Sequence, residues 1–168
     1  MKKIFEILDY GKEAGMQGLD ARLINPFLEA CVGVVGMVAQ TQLKVTGPKI
    51  ASSMTKGHLA IKVGVVGELN GEVSFEIAPD KAKDIASKMM CGMPVEALDE
   101  MACSALSELG NMVTGNAATI FSSMDILIDI TTPRLVTDMK EDDVVINKGL
   151  MVPLSLNNEE YMKVYINI

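Results

Sequence analysis

"HLAIKVGVVGELNGEVSFEIAP", residues 58–79, holds two β-rich runs joined around Asn70-Gly71. Val and Ile recur in both runs, with Phe75 in the second, and such side chains fit a pleated, half-buried surface. Asn-Gly readily takes the positive φ angles of a tight turn, so the stretch predicts a β-hairpin. Downstream, Pro79-Asp80 opens a helix through about Met90, ended by Gly92 and Pro94. A longer helix follows, from about Val95 to Phe121. Beyond it "ILIDI" (126–130), "PRLVTDM" (133–139), "GLMVPLSL" (149–156) and "EYMKVYINI" (160–168) read as strands separated by polar turns. Upstream, Asp20 to about Met37 has helical spacing, with Asp20 as a possible N-cap and Asn25-Pro26 either kinking the first turns or marking the true start. Leu43 to Met54, broken by Gly47-Pro48, reads as a strand followed by a loop. Helices grouped between runs of antiparallel strands predict an α+β domain, an antiparallel or mixed sheet layered with two long helices.

The 168 residues fit one domain with enough interior for a core. Hydrophobic residues at 49% against 22% charged make this a globular composition. No apolar run reaches the roughly 18 residues that cross a bilayer, and "ACVGVVGMVA" (30–39) reads as a buried helix. A formal charge of −7 disfavours nucleic acid or an anionic membrane as main partner. Cys31, Cys91 and Cys103 are odd in number and lack CxxC spacing, which argues against a disulfide framework or a structural zinc site. Each is expected to act as a small core hydrophobe. The N-terminal "MKKIFEILDYGKEAG" starts with two lysines, but Glu6 and Asp9 interrupt its apolar part and no cleavage site follows, so a cytoplasmic location is expected.

The long helix contains "SELGNMVTGNAATIF" (107–121), which puts Glu108 and Asn111 one turn apart and two glycines inside a helix. Steps of 100° place Leu98, Met101, Ala102, Ala105, Leu109, Met112, Asn116 and Ile120 on an apolar core face. Ser104, Glu108, Asn111 and Gly115 form an adjacent polar stripe. Gly115 leaves a low spot beside Asn111, and Ala118 is also small, so this helix can lie close against another protein. A carboxamide donates and accepts hydrogen bonds at once, so Asn111 can hold a water in fixed orientation. Positioning a water is the main service a protein renders in phosphoryl hydrolysis. A neighbouring carboxylate can pair with a lysine of a phosphorylated partner. The spacing alone equally describes a solvated helix face.

The pattern Ser104, Glu108, Asn111, followed by Pro133, resembles the signature of the CheC/CheX/FliY family of chemotaxis phosphatases. "ELGNMVTGNA", "DARLINPFLEA", "GVVGELNGEVSF" and "ITTPRLV" are similar to its CheX branch in particular. The resemblance covers about residues 19–168 and leaves residues 1–18 as an N-terminal extension. Its first helix carries Asn25 and Glu29 in reversed order with no Glu-x-x-Asn, so one site is expected rather than two. The resemblance implies hydrolysis of the aspartyl phosphate of a CheY-like receiver domain. Asn111 then orients the attacking water and Glu108 pairs with the receiver's lysine, with Ser104, Gly115 and Ala118 on the partner-binding surface. It also implies that this chain binds no cofactor of its own, that Mg²⁺ comes with the receiver, and that the protein is a homodimer. A noncatalytic adaptor for receivers or for a flagellar rotor component is the alternative.

Other residues carry less. His58 is the single histidine and is expected at a strand edge or in a loop, so no metal is assigned. Gly64, Gly67 and Gly71 lack GxGxxG spacing and read as turn and bulge positions. The "KEDD" run, 140–143, reads as a solvated turn. Met89, Met90 and Cys91 at a helix end are expected to pack into the core.

Overall fold

The computed structural model describes residues 20–40 and 42–168. The extension expected for residues 1–18 lies outside them. The first helix, α1 (Ala21–Ala39), is capped by Asp20, whose Oδ1 accepts the Arg22 N–H at 3.0 Å. Of the two starts open in the sequence, the cap at Asp20 is the one taken, and Pro26 lies inside the helix. Strands β1 (Lys44–Val45) and β2 (Lys49–Ser53) follow, then the hairpin of β3 (Leu59–Gly67) and β4 (Gly71–Ile77). Helices α2 (Pro79–Met89) and α3 (Glu100–Ser122) come next. The chain closes with β5 (Ile128–Ile130), β6 (Arg134–Val136), the one-turn α4 (Glu141–Val144), β7 (Val145–Leu156) and β8 (Glu159–Asn167).

The eight strands form one sheet in the order β1-β7-β8-β4-β3-β5, with β2 also on β7 and β6 also on β3. Every pairing is antiparallel. Alternation along β3 sends Leu59, Ile61, Val63 and Val65 into the main core and Ala60, Lys62 and Gly64 to the opposite face. The main core joins that inner face to α1, α2 and α3, and Phe27 of α1 meets Phe121 of α3 edge to face, with ring centroids 5.1 Å apart. The architecture is the expected α+β layering of an antiparallel sheet with two long helices.

A smaller cluster, Met54, Ala60, Met139, Met151 and Tyr165, lies on the outer face. Glu76 stands beside it, 1% exposed. Its carboxylate accepts from Tyr165 Oη at 2.7 Å, Lys163 Nζ at 2.9 Å and the Thr55 N–H at 3.1 Å, and lies 2.8 Å from His58 Nδ1. Burial pushes the Glu76 carboxyl up, but the donors from Thr55, Tyr165 and Lys163 outweigh it and hold it below the usual range. His58 is thus placed in the loop entering β3, as a partner of a buried carboxylate.

Five expectations are corrected. The hairpin's positive φ falls at Gly67 (116°) rather than at Asn70-Gly71. Gly71 is needed for closeness instead, since a Cβ there would lie 1.9 Å from the Asn167 carbonyl oxygen. The long helix begins at Glu100, because the Asp99 carboxylate accepts the Ala102 N–H at 2.9 Å and caps it; Leu98 lies outside. Its buried face is Ala102, Leu106, Leu109, Gly110, Val113, Thr114, Ala117 and Phe121, so Met101 and Asn116 face solvent. The acidic run forms α4, where the Asp143 carboxylate accepts the Lys140 N–H at 2.9 Å, instead of a plain turn. Finally, α1 is long and apolar enough to cross a membrane by length and composition, although its apolar stretch is interrupted by Glu29; here it packs against α3 and the sheet.

Candidate active site

Helix α3 presents Ser104, Glu108 and Asn111 to solvent on successive turns, as the polar stripe predicts. Asn111 Nδ2 lies 3.5 Å from Glu108 Oε2, the outer limit of a hydrogen bond, so neither side chain is consumed by the other. The two glycines beside them differ in role. At Gly115 an added Cβ would meet nothing within 4 Å, so the low spot beyond Asn111 is open, with half-buried Ala118 one turn on. At Gly110 a Cβ would lie 2.7 Å from Ile61 Cγ2 of β3 and 3.5 Å from Pro133 Cβ. Gly110 therefore lets α3 settle onto the sheet directly behind the Glu108–Asn111 pair, and Pro133 closes the same contact.

An open groove of about 760 Å³ runs along the pair, lined by Met89, Met90, Cys91, Met93 and Met101 on its apolar side. Cys91 and Gly92 take positive φ angles of 57° and 83°, turning the chain out of α2 and bringing this segment alongside α3. Met93 is 54% exposed and Met101 59% exposed, so the groove has an adaptable apolar rim beside a carboxylate and a carboxamide. Cys91 is exposed and Met89 and Met90 are half-buried, which corrects their expected place in the core. Of the cysteines only Cys31 is fully buried, and burial pushes its thiol far above its usual range. Met101, expected on the core face, precedes Glu108 by seven residues, two near-complete turns, so the helical period itself places it on the site's stripe. Asn25 and Glu29 of α1 form no such pair: Glu29 is exposed, while Asn25 Oδ1 is buried and has no hydrogen-bond partner among the described residues.

Among the described residues no group of three or more His, Cys, Asp or Glu is placed to hold a metal ion. What the site offers is a charge, a fixed donor and acceptor, and an apolar contact surface, all open to a macromolecular partner.

The family model described as "CheC-like family" matches residues 101–137, a span holding Ser104, Glu108, Asn111 and Pro133. The CheY-P phosphatase CheX of Thermotoga maritima is 29% identical over 158 residues, covering 89% of this chain and 97% of that protein. A CheC-like superfamily protein from Shewanella superposes with a TM-score of 0.74 at 26% identity, covering 88% of this chain and 98% of its own. CheX of Borrelia burgdorferi, solved in complex with CheY, BeF3 and Mg²⁺, shares the fold at a TM-score of 0.70 and 23% identity, over 84% of this chain and 94% of that one. With this signature span, helix layering and sheet, the chain is similar to the CheC-like family over residues 101–137 and to CheX and CheC-like proteins over most of its length.

Proposed function

We propose that this protein hydrolyses the aspartyl phosphate of a CheY-like receiver domain, using Glu108 and Asn111. The observation that carries the reading is the exposed pair on α3, one turn apart and backed by Gly110 against the sheet. The Thermotoga relative's name, CheY-P phosphatase, and the Borrelia protein's complex with CheY support it. In this reading the Asn111 carboxamide accepts from and donates to a water, holding its oxygen in line with the phosphorus. That oxygen bonds to phosphorus as the acyl P–O bond breaks, the receiver's aspartate leaves as a carboxylate, and the water's proton passes to phosphate or solvent. Glu108 pairs with the receiver lysine beside the acyl phosphate, a positioning role. Mg²⁺ belongs to the receiver. Ser104, Gly115 and Ala118 border the contact, and the methionine rim supplies apolar docking surface. We further propose that residues 19–168 form the phosphatase domain, acting in the cytoplasm as a homodimer.

The test is the decay of a phosphorylated CheY-type receiver with wild type, Glu108→Ala and Asn111→Ala. Asn111→Ala should slow the stimulated decay by about 100-fold, with unchanged unfolding, because the side chain is exposed and a misplaced water costs that order in rate. Equal rates in wild type and Asn111→Ala would remove the mechanism. Binding of a BeF3-loaded receiver without faster phosphate loss would establish the noncatalytic adaptor instead.

A further inference from the structure

The sheet's outer face carries a charge that the protein leaves unanswered. The pairing register sets Lys62 opposite Ser74 on one side and opposite Arg134 on the other. Two cations directly opposite each other repel. Lys62 is only 9% exposed, and among the described residues its ammonium makes neither a hydrogen bond nor an ion pair. The carboxylates two residues along the neighbouring strand are occupied differently. Glu76 is saturated by Lys163, Tyr165, Thr55 and His58. Exposed Glu72 accepts the Ser74 hydroxyl at 2.9 Å through one oxygen, and its other oxygen has no partner among the described residues.

A cavity of about 370 Å³ opens over this row, with Lys62, Glu72, Ser74 and Asn167 on its polar side and Tyr165 and Ile146 beside them. It lies on the opposite face of the sheet from α3. The polar groups have a definite sense. Lys62 offers donors with a positive charge. Asn167 donates its amide to the Lys148 carbonyl at 2.9 Å, so its Oδ1 is left as an acceptor, and Glu72 offers a second acceptor with a negative charge. The Lys62 stem is buried while its ammonium reaches the cavity, where a ligand carboxylate would meet it through charge-assisted hydrogen bonds. A ligand carrying a carboxylate alone would leave the acceptors unmatched, and a phosphate dianion would meet Glu72.

We propose that this cavity binds a small zwitterion of the α-amino-acid class, its carboxylate on Lys62 and its ammonium on Glu72 and Asn167 Oδ1. The volume is at the lower end of small-molecule sites and leaves room for a small amino acid. The inference does not depend on the phosphatase reading.

The experiment titrates the full-length protein with alanine, serine, acetate and methylamine, read by amide chemical shifts and by calorimetry. Alanine and serine should bind saturably, with shifts concentrated on β3, β4 and β8, and acetate and methylamine should bind at least about tenfold more weakly. Lys62→Met keeps the buried stem and removes the charge, and should abolish binding; Glu72→Gln should erase the preference for alanine over acetate. If Lys62→Met fails to fold, the Glu72→Gln comparison decides alone. Absence of saturable shifts with either amino acid, binding that survives Lys62→Met, or an alanine preference that survives Glu72→Gln would overturn the proposal. So would a dimer in which a second copy of the chain fills the cavity.

Discussion

The two glycines of α3 should respond in opposite directions to the same added methyl group. In a helix interior, glycine costs about 1 kcal/mol relative to alanine. At Gly115 nothing stands within 4 Å of the new Cβ, so Gly115→Ala should recover that whole amount, raising the melting temperature by about 2–4 °C for a chain of this size. At Gly110 the same gain is opposed by a carbon placed 2.7 Å from Ile61 Cγ2, a fully buried side chain with no room to swing aside. Forcing an extra methyl into a packed contact costs about 1–3 kcal/mol, so Gly110→Ala should be a net loss of about 1 kcal/mol. Urea unfolding followed by far-ultraviolet circular dichroism separates the two, with unchanged slopes showing that neither alters the unfolded state. A Gly110→Ala protein as stable as wild type would refute the close helix–sheet contact. Under the proposed function Gly115→Ala carries a second signature: the more stable protein should dephosphorylate its receiver more slowly, because the methyl fills the low spot beside Asn111.

The buried carboxylate gives a pH prediction. The folded pKa of Glu76 lies below its ordinary 4.5, so its contribution to stability is complete above about that pH and is lost as the pH falls through the folded value. Glu76→Gln should flatten this acid limb and cost about 1–3 kcal/mol near neutrality by weakening the charge-assisted bonds from Lys163, Tyr165 and Thr55, with Lys163 left to Glu160 and Thr55, measured by denaturant unfolding across pH. Iodoacetamide should label exposed Cys91 rapidly and leave Cys31 untouched in the folded protein, as read by mass spectrometry. Under the proposed function, because Cys91 lines the groove beside Glu108, the labelled protein should also dephosphorylate the receiver more slowly; full activity after complete labelling would exclude that side of the groove from docking.

Much of this architecture can be read from local chemistry. The β3–β4 hairpin follows from two apolar runs of strand length, and α2 from Pro79 at its start and Gly92 past its end. The polar stripe Ser104, Glu108, Asn111 follows from the helical period. The misreadings are equally physical. A start at Val95 misses Asp99 as a cap, and a core face counted from Leu98 takes in Met101, one position before the buried Ala102. Apolar character alone places methionine and cysteine inside, yet Met93, Met101 and Cys91 rim a groove, because the turn after α2 leaves them without a covering element. No local pattern distinguishes Gly110 from Gly115. The difference lies in Ile61, about fifty residues away and brought close only by the tertiary fold. Nor does any local signal tell that Lys62 has no partner among the described residues, since that depends on what the neighbouring strands leave available.

Ile61 and Lys62 are consecutive residues of β3 that face opposite sides of the sheet, one beneath Gly110 and the other in the outer cavity. A slip of one residue in the pairing of β3 would exchange them, pressing an ammonium into the notch behind Asn111 and leaving a hydrocarbon among the polar groups outside. Neither face tolerates the swap, so the alternative register is penalised twice over, and a correctly seated Asn111 certifies that the hairpin at the centre of the sheet has closed in register.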